Sequence, residues 1–366
     1  MPEVVIVGGG VIGCATAYYL ARAGASVTVL ERGEVAGEAS GASAGMLAAL
    51  SDEGHRPPLF TELCDESLAL YDSLLPDLAT TGIDVRHRRI DILHLALDDA
   101  QAEALREFHR RKQRETEAYW LKTDEVLEVE PAANPKAVAG VLAPGAQYVD
   151  ARALTQALAE AARRRGAAVR EHEGARRLLP RGGRLGAVRT ETDSYEADAF
   201  VLAGGPWTLD LARRLGAHVP VRPVRGQMLS LDGPPGGLRT MIWGPAYLIP
   251  REEGQTYVGA TVEEAGFRKH TTMAGLRGLR SGAEALVPAL RTAPQRRAWA
   301  GLRPAAPDDL PIMGLLPGWE NVWVSTGHFR NGVLLAPLSG RLIAQSVLAG
   351  RPADKLAQLS PGRFAE

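Results

Sequence analysis

The sequence predicts an α/β fold, a doubly wound parallel sheet joined to a second α+β unit built on an antiparallel sheet. Three stretches carry that prediction. The first 31 residues spell strand, glycine turn, helix and strand, the unit from which buried parallel sheets are made. From Val221 to Glu263 three strand-like runs follow one another with no helix between them, as in an antiparallel sheet. Near the carboxy end a strand, a glycine turn and a long helix recur, returning the chain to its first sheet.

The elements follow in order. Val4–Val7 is a short apolar run ending in Gly8-Gly9-Gly10, Val11–Ala23 has helical spacing with a stop at Gly24, and Ser26–Leu30 is a second β-branched run closed by Glu31. Residues 37–47 are almost wholly Gly, Ala and Ser, a composition that fits close approach of backbone to something else. Leu59–Leu78 reads as a helix, Ile90–Leu97 and Gly140–Val149 as strands, and Asp98–Arg114 as a charged helix. A helix over 151–165 and a strand over 167–171 restore the α/β rhythm, with strands at Arg184–Arg189 and Ala197–Leu202, the latter running into Ala203-Gly204-Gly205. The antiparallel runs are Gly226–Leu231, Thr240–Ile249 and Gln255–Thr261. A helix over Met273–Leu290, a buried-type strand over Asn321–Ser325 and an amphipathic helix from Val333 to Ala349 complete the chain. Two interleaved domains are therefore expected, one from 1–85, 146–220 and 305–366, the other from 86–145 and 221–304.

Composition bounds the function. The chain has 366 residues, more than one ordinary domain, and its 45% hydrophobic content can build sizeable cores. Its 23% charged residues and 40 aperiodic glycines exclude disorder and collagen-like repeats. With 42 basic against 43 acidic residues the net charge is −1, which argues against nucleic acid or anionic membrane as partner. A small molecule is the expected partner, and a homo-oligomer the expected assembly. Cys14 and Cys64 stand apart, in no metal or disulfide pattern, and no metal is expected. The first residues show no export signal, so a cytoplasmic setting is expected.

Gly8-x-Gly10-x-x-Gly13 follows a strand and opens a helix, with Glu31 ending the next strand. In that context the pattern is a Rossmann-like dinucleotide fingerprint. Gly8 permits the turn, Gly10 lets backbone N–H groups reach a pyrophosphate, Gly13 lets helix pack on strand, and Glu31 suits ribose hydroxyls. The fingerprint alone leaves NAD and FAD open, and also a tight turn with no ligand. The Gly/Ala/Ser segment and a second glycine turn at Gly327–Gly332 favour the longer flavin dinucleotide.

With VVIVGGGVIGCATAYYLARAG at the start, ASAGML at 42–47, AYLIPR at 246–251, YVGAT at 257–261, WAGLRP at 299–304 and STGHFRNGVLLAP at 325–337, the sequence resembles the D-amino acid oxidase family of FAD-dependent oxidoreductases, in particular its glycine oxidase (ThiO-type) branch. The resemblance implies oxidation of a small amine or amino acid to the imine by hydride transfer from the α-carbon to flavin, with O2 reduced to H2O2. Glycine would give glyoxylate and ammonia, and in many bacteria the equivalent enzyme feeds glycine imine to thiamine thiazole synthesis. Hydride transfer of this kind needs positioning and electrostatics rather than a catalytic triad, so no acid or base is assigned.

Carried over by motif, Arg303 is expected to bind the substrate carboxylate with its planar fork, Tyr247 to donate its hydroxyl to the same group, and Arg330 to line the flavin and substrate side. Each also has an ordinary reading, as an ion-pair residue, a core tyrosine and a structural clamp. FAD contacts are implied at Gly8, Gly10, Val11, Ile12, Gly13, Glu31 and Arg32. Further contacts are implied at Ala39, Ser40, Ala44, Gly45, Met46 and Ala175, and along His328, Phe329, Arg330, Asn331, Gly332, Val333 and Leu334. His328 reads as a packing residue rather than a base. No cysteine follows Cys64, so the FAD is expected to be non-covalent.

Pro245, Val262 and Asp52 stand where this branch tends to carry histidine, methionine and glutamate, which predicts a changed pocket. The alternatives are a D-amino acid or sarcosine oxidase, a quinone-linked D-amino acid dehydrogenase of the same fold, and a subunit that uses FAD structurally.

Overall fold

The computed structural model describes residues 1–48, 57–113 and 117–364. The chain opens with β1 (Glu3–Val7), α1 (Val11–Arg22), β2 (Ser26–Leu30), α2 (Ala39–Ala42) and α3 (Pro58–Ala79). It then crosses through β3 (Arg88–Arg89), β4 (Ile92–Ala96), α4 (Asp99–Lys112), β5 (Tyr119–Leu121), α5 (Thr123–Val129) and β6 (Ala139–Ala143). Next come β7 (Gln147–Tyr148), α6 (Ala151–Arg163), β8 (Ala168–Arg170), β9 (Arg177–Arg181), β10 (Arg184–Arg189), β11 (Ser194–Glu196), β12 (Ala199–Leu202) and α7 (Thr208–Arg213). The second crossing holds β13 (Arg222–Asp232), β14 (Met241–Trp243), β15 (Tyr247–Pro250), β16 (Gln255–Gly259), α8 (Met273–Leu286) and β17 (Gln295–Ala305). The chain closes with β18 (Ile312–Leu315), β19 (Val322–Thr326) and α9 (Gly332–Ala349).

Two large sheets result. One has the order β18-β19-β12-β1-β2-β8, parallel except for β18. The other has the order β17-β13-β16-β15-β14-β4-β6-β5, antiparallel except where β14 meets β4. Side chains alternate along its strands. Leu93, Leu229, Leu231, Ile242 and Leu248 therefore pack under α8, while Met228, Trp243, Tyr247 and Ile249 turn to the opposite face, toward the first sheet.

Several boundaries differ from expectation for local reasons. The run Gly140–Val149 divides into β6 and β7, and Thr240–Ile249 into β14 and β15 around a turn at Gly244–Ala246. The helix from Met273 ends at Leu286, and Pro288–Thr292 continues as a 3₁₀ turn, since a proline removes a backbone donor. Arg184–Arg189 does not join the parallel sheet but pairs with β9 and β11 in a small antiparallel one. The charged helix starts at Asp99 because Asp98 caps it, accepting from the Gln101 N–H.

The last helix is amphipathic only along a narrow stripe, with Arg341 half-buried and Gln345 exposed. α9 is long and apolar enough to cross a membrane, but 72% of it is buried inside the fold, against α1 and α3. Gly340 permits the crossing with α1, because a Cβ there would lie 2.6 Å from the Ala15 carbonyl carbon. Pro337 sits inside the helix and cannot donate to Val333, four residues earlier. The Tyr71 hydroxyl donates to that carbonyl instead, at 2.6 Å, and the Ser67 hydroxyl donates to Leu334 O at 2.7 Å. Tyr71→Phe would leave a buried carbonyl unsatisfied, so a loss of about 1–3 kcal/mol is expected. Denaturant unfolding checks it; an unchanged midpoint would refute it.

Candidate active site

A cavity of about 730 Å³ runs between the two sheets. One part of its wall is the β1–α1 turn. Gly8 holds φ +121° there, and a Cβ on it would fall 2.4 Å from Ala203 O, so the turn at 203–205 after β12 packs directly across the β1–α1 turn. Among the described residues Gly10 meets only the Ser40 hydroxyl, 3.2 Å from its would-be Cβ, and the Val11 N–H donates to that hydroxyl at 2.9 Å. The Glu31 carboxylate accepts from Gly9 N–H at 2.7 Å and Gly33 N–H at 2.8 Å. Those bonds fix an acidic group at the wall, where hydroxyls of a ligand can reach it.

The Gly/Ala/Ser segment has the close contacts its composition predicts. A Cβ on Gly41 would lie 2.1 Å from Ala36 O, one on Gly45 2.0 Å from Val149 O, and one on Gly301 of β17 2.7 Å from Ala42 Cβ. Arg251 ties the segment down. Its guanidinium sits 4.7 Å from the Tyr148 ring centre and 4.5 Å from that of Tyr257, and it donates to the carbonyls of Ala44 and Val149. Burial depresses its pKa.

The antiparallel sheet supplies the opposite wall through Tyr247 and Arg303. Tyr247 is buried, its ring 5.2 Å from that of Trp243 in a stacked arrangement, and Gly259 leaves room for it, since a Cβ there would lie 2.4 Å from the ring. Burial pushes its phenol pKa up, against the pull of Arg303, Arg330 and Arg251. The Arg303 guanidinium lies flat on Gly226 and donates from Nη1 to Thr261 O at 3.0 Å. Burial and the nearby Arg330 depress its pKa, while Tyr247 and Glu263 oppose them. A Cβ at Gly226 would come within 2.2 Å of that guanidinium. Gly226→Ala should therefore displace Arg303 and raise the substrate KM at least tenfold with FAD content unchanged. Steady-state kinetics checks this, and wild-type KM would contradict it.

The third wall is the loop into α9. Phe329, Arg330, Asn331, Gly332 and Val333 line the cavity, and among the described residues no side chain caps the helix N-terminus. Among the described residues Asn331 Nδ2 is buried with no hydrogen-bond partner, a cost that a polar ligand in the cavity would remove. His328 lines the wall too, but its Nε2 pairs with the Ser339 hydroxyl at 2.9 Å. Burial pushes its pKa down to about 3. It stays neutral above that, which suits packing and not proton transfer. Because its folded pKa lies below the unfolded value near 6.5, its contribution to stability is present above about pH 6.5 and lost as pH falls toward 3. The share of the slope due to His328 approaches about 1.4 kcal/mol per pH unit, and His328→Gln should reduce the wild-type slope by that share; a wild-type slope in that variant would refute it.

The cavity thus brings together Gly8, Gly10, Val11, Ile12, Glu31, Arg32, Ala39, Ser40, Ala44, Gly45, Met46, Ala175, Arg303, Tyr247, Arg330 and His328 through Val333. Two expected contacts fall outside it. Gly13 packs on the turn itself, its would-be Cβ 2.0 Å from Gly8 O, and Leu334 points into the helical core. Pro245 and Val262 do not line the cavity either: Pro245 is exposed in the β14–β15 turn, and Val262 is 58% exposed. Asp52 lies outside the described residues.

Sequence reasoning missed Trp207, Gly174 and Met228. Arg32 stacks on the Trp207 ring at 3.7 Å, and a Cβ on Gly174 would lie 2.8 Å from Arg32 Cβ. The signal for Trp207 was the second strand-to-glycine turn, GGPW, directly after β12. Met228 shares a face with Gly226, two residues away on β13.

Residues 3–346 match the family described as FAD dependent oxidoreductase. The chain is 35% identical to glycine oxidase of Pseudomonas putida, over 98% of each chain. It is 34% identical to the bifunctional protein ThiO/ThiG of Trichormus variabilis, over 99% of this chain and 55% of that one. Its fold is similar to the crystal structure of glycine oxidase from Geobacillus kaustophilus, with TM-score 0.92, 30% identity, and coverage of 100% and 99% of the two chains.

Proposed function

The chain belongs to the FAD-dependent oxidoreductase family, and from that premise we propose that it oxidises glycine and other small amino acids to the imine, which hydrolyses to glyoxylate and ammonia. The observation that carries this is the meeting of Arg303 and Tyr247 with the dinucleotide turn in one cavity. FAD fits the residues present: bulk-free Gly10, the glutamate held at the wall, the close-packed segment 39–46, and the unpartnered Asn331 amide. When bound, FAD supplies the two-electron acceptor and the route to oxygen.

The protein's own groups bind and orient. Arg303 presents a guanidinium to the carboxylate, and a fork of donors fixes direction as well as affinity. The Tyr247 phenol, kept neutral by burial, donates to the same carboxylate. Arg330 adds positive charge on the cavity wall beside both. The uncapped α9 N-terminus and its dipole favour negative charge developing at the adjoining wall. His328 holds its loop and moves no proton. The sheets support the expected division into a FAD-binding part (1–85, 146–220, 305–366) and a substrate-binding part (86–145, 221–304). The fused ThiO/ThiG relative supports a role in supplying glycine imine to thiamine thiazole synthesis.

A panel of glycine, sarcosine and D-alanine through bulky D-amino acids, read by peroxide formation, tests the substrate assignment. Turnover should favour the smallest members. Preference for bulky D-amino acids would move the assignment to a D-amino acid oxidase, and activity with dyes but not oxygen to a dehydrogenase.

A further inference from the structure

The geometry points to Thr261 as a positioning residue for the carboxylate-binding arginine, an inference that rests on the assignment of Arg303 above. β13 carries two opposed jobs at adjacent residues. Gly226 faces the cavity and forms the floor under the Arg303 guanidinium. Its neighbours Arg225 and Gln227 face the other way and hold the segment that follows β16.

At a hydrogen-bonded pair of an antiparallel ladder two facing residues exchange both backbone hydrogen bonds, as Arg225 and Glu263 do here. Gln227 and Thr261 depart from this. Thr261 N–H donates to Gln227 O at 3.2 Å, but the return bond, from Gln227 N–H, goes to the Thr261 hydroxyl at 2.8 Å. The side chain stands in for the carbonyl. That carbonyl is thereby released from the ladder and accepts Arg303 Nη1 at 3.0 Å.

The hydroxyl is itself held. The Glu263 carboxylate is near enough to feel it: Thr261, Arg225 and Gln227 together keep the Glu263 pKa low although burial works the other way. Glu263 also accepts from Gln227 Nε2 at 2.6 Å and pairs with the Arg225 guanidinium. Gln227, fully buried, closes the network by accepting from Thr272 N–H at 2.6 Å. Removing the Thr261 hydroxyl leaves the buried Gln227 N–H in need of an acceptor, and its regular ladder partner is the carbonyl that now tethers Arg303.

The test uses FAD-loaded enzyme and acetate, a carboxylate without an amine, with Kd read from flavin absorbance, alongside glycine KM and kcat. Thr261→Val should raise the acetate Kd and glycine KM about three- to tenfold, the range of one hydrogen bond, with kcat within about twofold. Thr261→Ser, which restores the hydroxyl, should return both to within about twofold of wild type. Thr261→Ala serves if the valine variant does not load FAD. Wild-type acetate affinity in either hydroxyl-free variant overturns the positioning role. Arg303→Lys separates the two claims: weakened acetate binding there with none in Thr261→Val removes only Thr261, whereas unchanged binding in Arg303→Lys removes the arginine assignment and this inference together.

Discussion

Replacing Arg303 by alanine is expected to lower kcat/KM for glycine by a factor of about 100 to 10,000. The magnitude follows from two charge-assisted hydrogen bonds between a guanidinium fork and a carboxylate, each contributing about 1.5–3 kcal/mol. It is large here because the guanidinium is pre-positioned by Gly226 and Thr261 O, so little ordering is left to occur on binding. Most of the loss should appear in KM, with some in kcat, since a carboxylate that is loosely held also misplaces the α-carbon. Arg303→Lys should recover only part of it, because a point charge cannot reproduce the fork. Steady-state peroxide assays measure both variants. Unchanged saturation by glycine in Arg303→Ala would leave the carboxylate without its anchor and refute the assignment.

Gly10→Val is expected to give a folded but colourless protein. The reason lies in what surrounds each glycine of the fingerprint. A side chain at Gly8 or Gly13 collides with backbone, at 2.4 Å from Ala203 O and 2.0 Å from Gly8 O, so substitutions there damage the fold. At Gly10 the described residues offer only the Ser40 hydroxyl, at 3.2 Å, and the added isopropyl group projects into the space where a pyrophosphate must approach backbone N–H groups. Circular dichroism and thermal unfolding should therefore stay near those of wild-type apoprotein, while flavin absorbance is lost after purification. A yellow Gly10→Val protein with stoichiometric FAD would contradict this account of the turn.

The fold was readable where local pattern and tertiary role coincide. The β1-α1-β2 unit, α3 and α6 follow from periodicity, because each buries one repeating face. Strands β9, β11, β17 and β18 were not readable in the same way. Their composition is mixed and several are short or exposed, and only the partner strand makes them strands. α9 misled for the opposite reason. Of the Ser, Gly, Arg and Gln residues that look like a polar face in sequence, Arg341 and Gln345 reach the surface, but Ser339, Gly340 and Ser346 are helix-crossing and hydroxyl-bonding positions inside the core.

The candidate site divides along the same line. Glycines of the fingerprint carry their chemistry in residue type and spacing, whereas Arg303 and Tyr247 were legible only through the resemblance of WAGLRP and AYLIPR to the family's motifs. Trp207, Gly174 and Gly226 matter through what lies opposite them in space. Thr261 was visible only as the end of YVGAT, and its role depends on a hydrogen-bond exchange that no linear pattern encodes. Pro245 and Val262 illustrate the converse, since positions that resemblance marked for the pocket lie at the surface.

The most direct measurement of the central claim is anaerobic mixing of the FAD-loaded enzyme with glycine, followed through flavin absorbance. Saturable bleaching of the oxidised flavin band, with the glycine concentration needed for half-maximal rate shifted at least about 100-fold upward in Arg303→Ala, is the predicted result. A flavin spectrum that glycine, sarcosine and small D-amino acids all leave oxidised would contradict it.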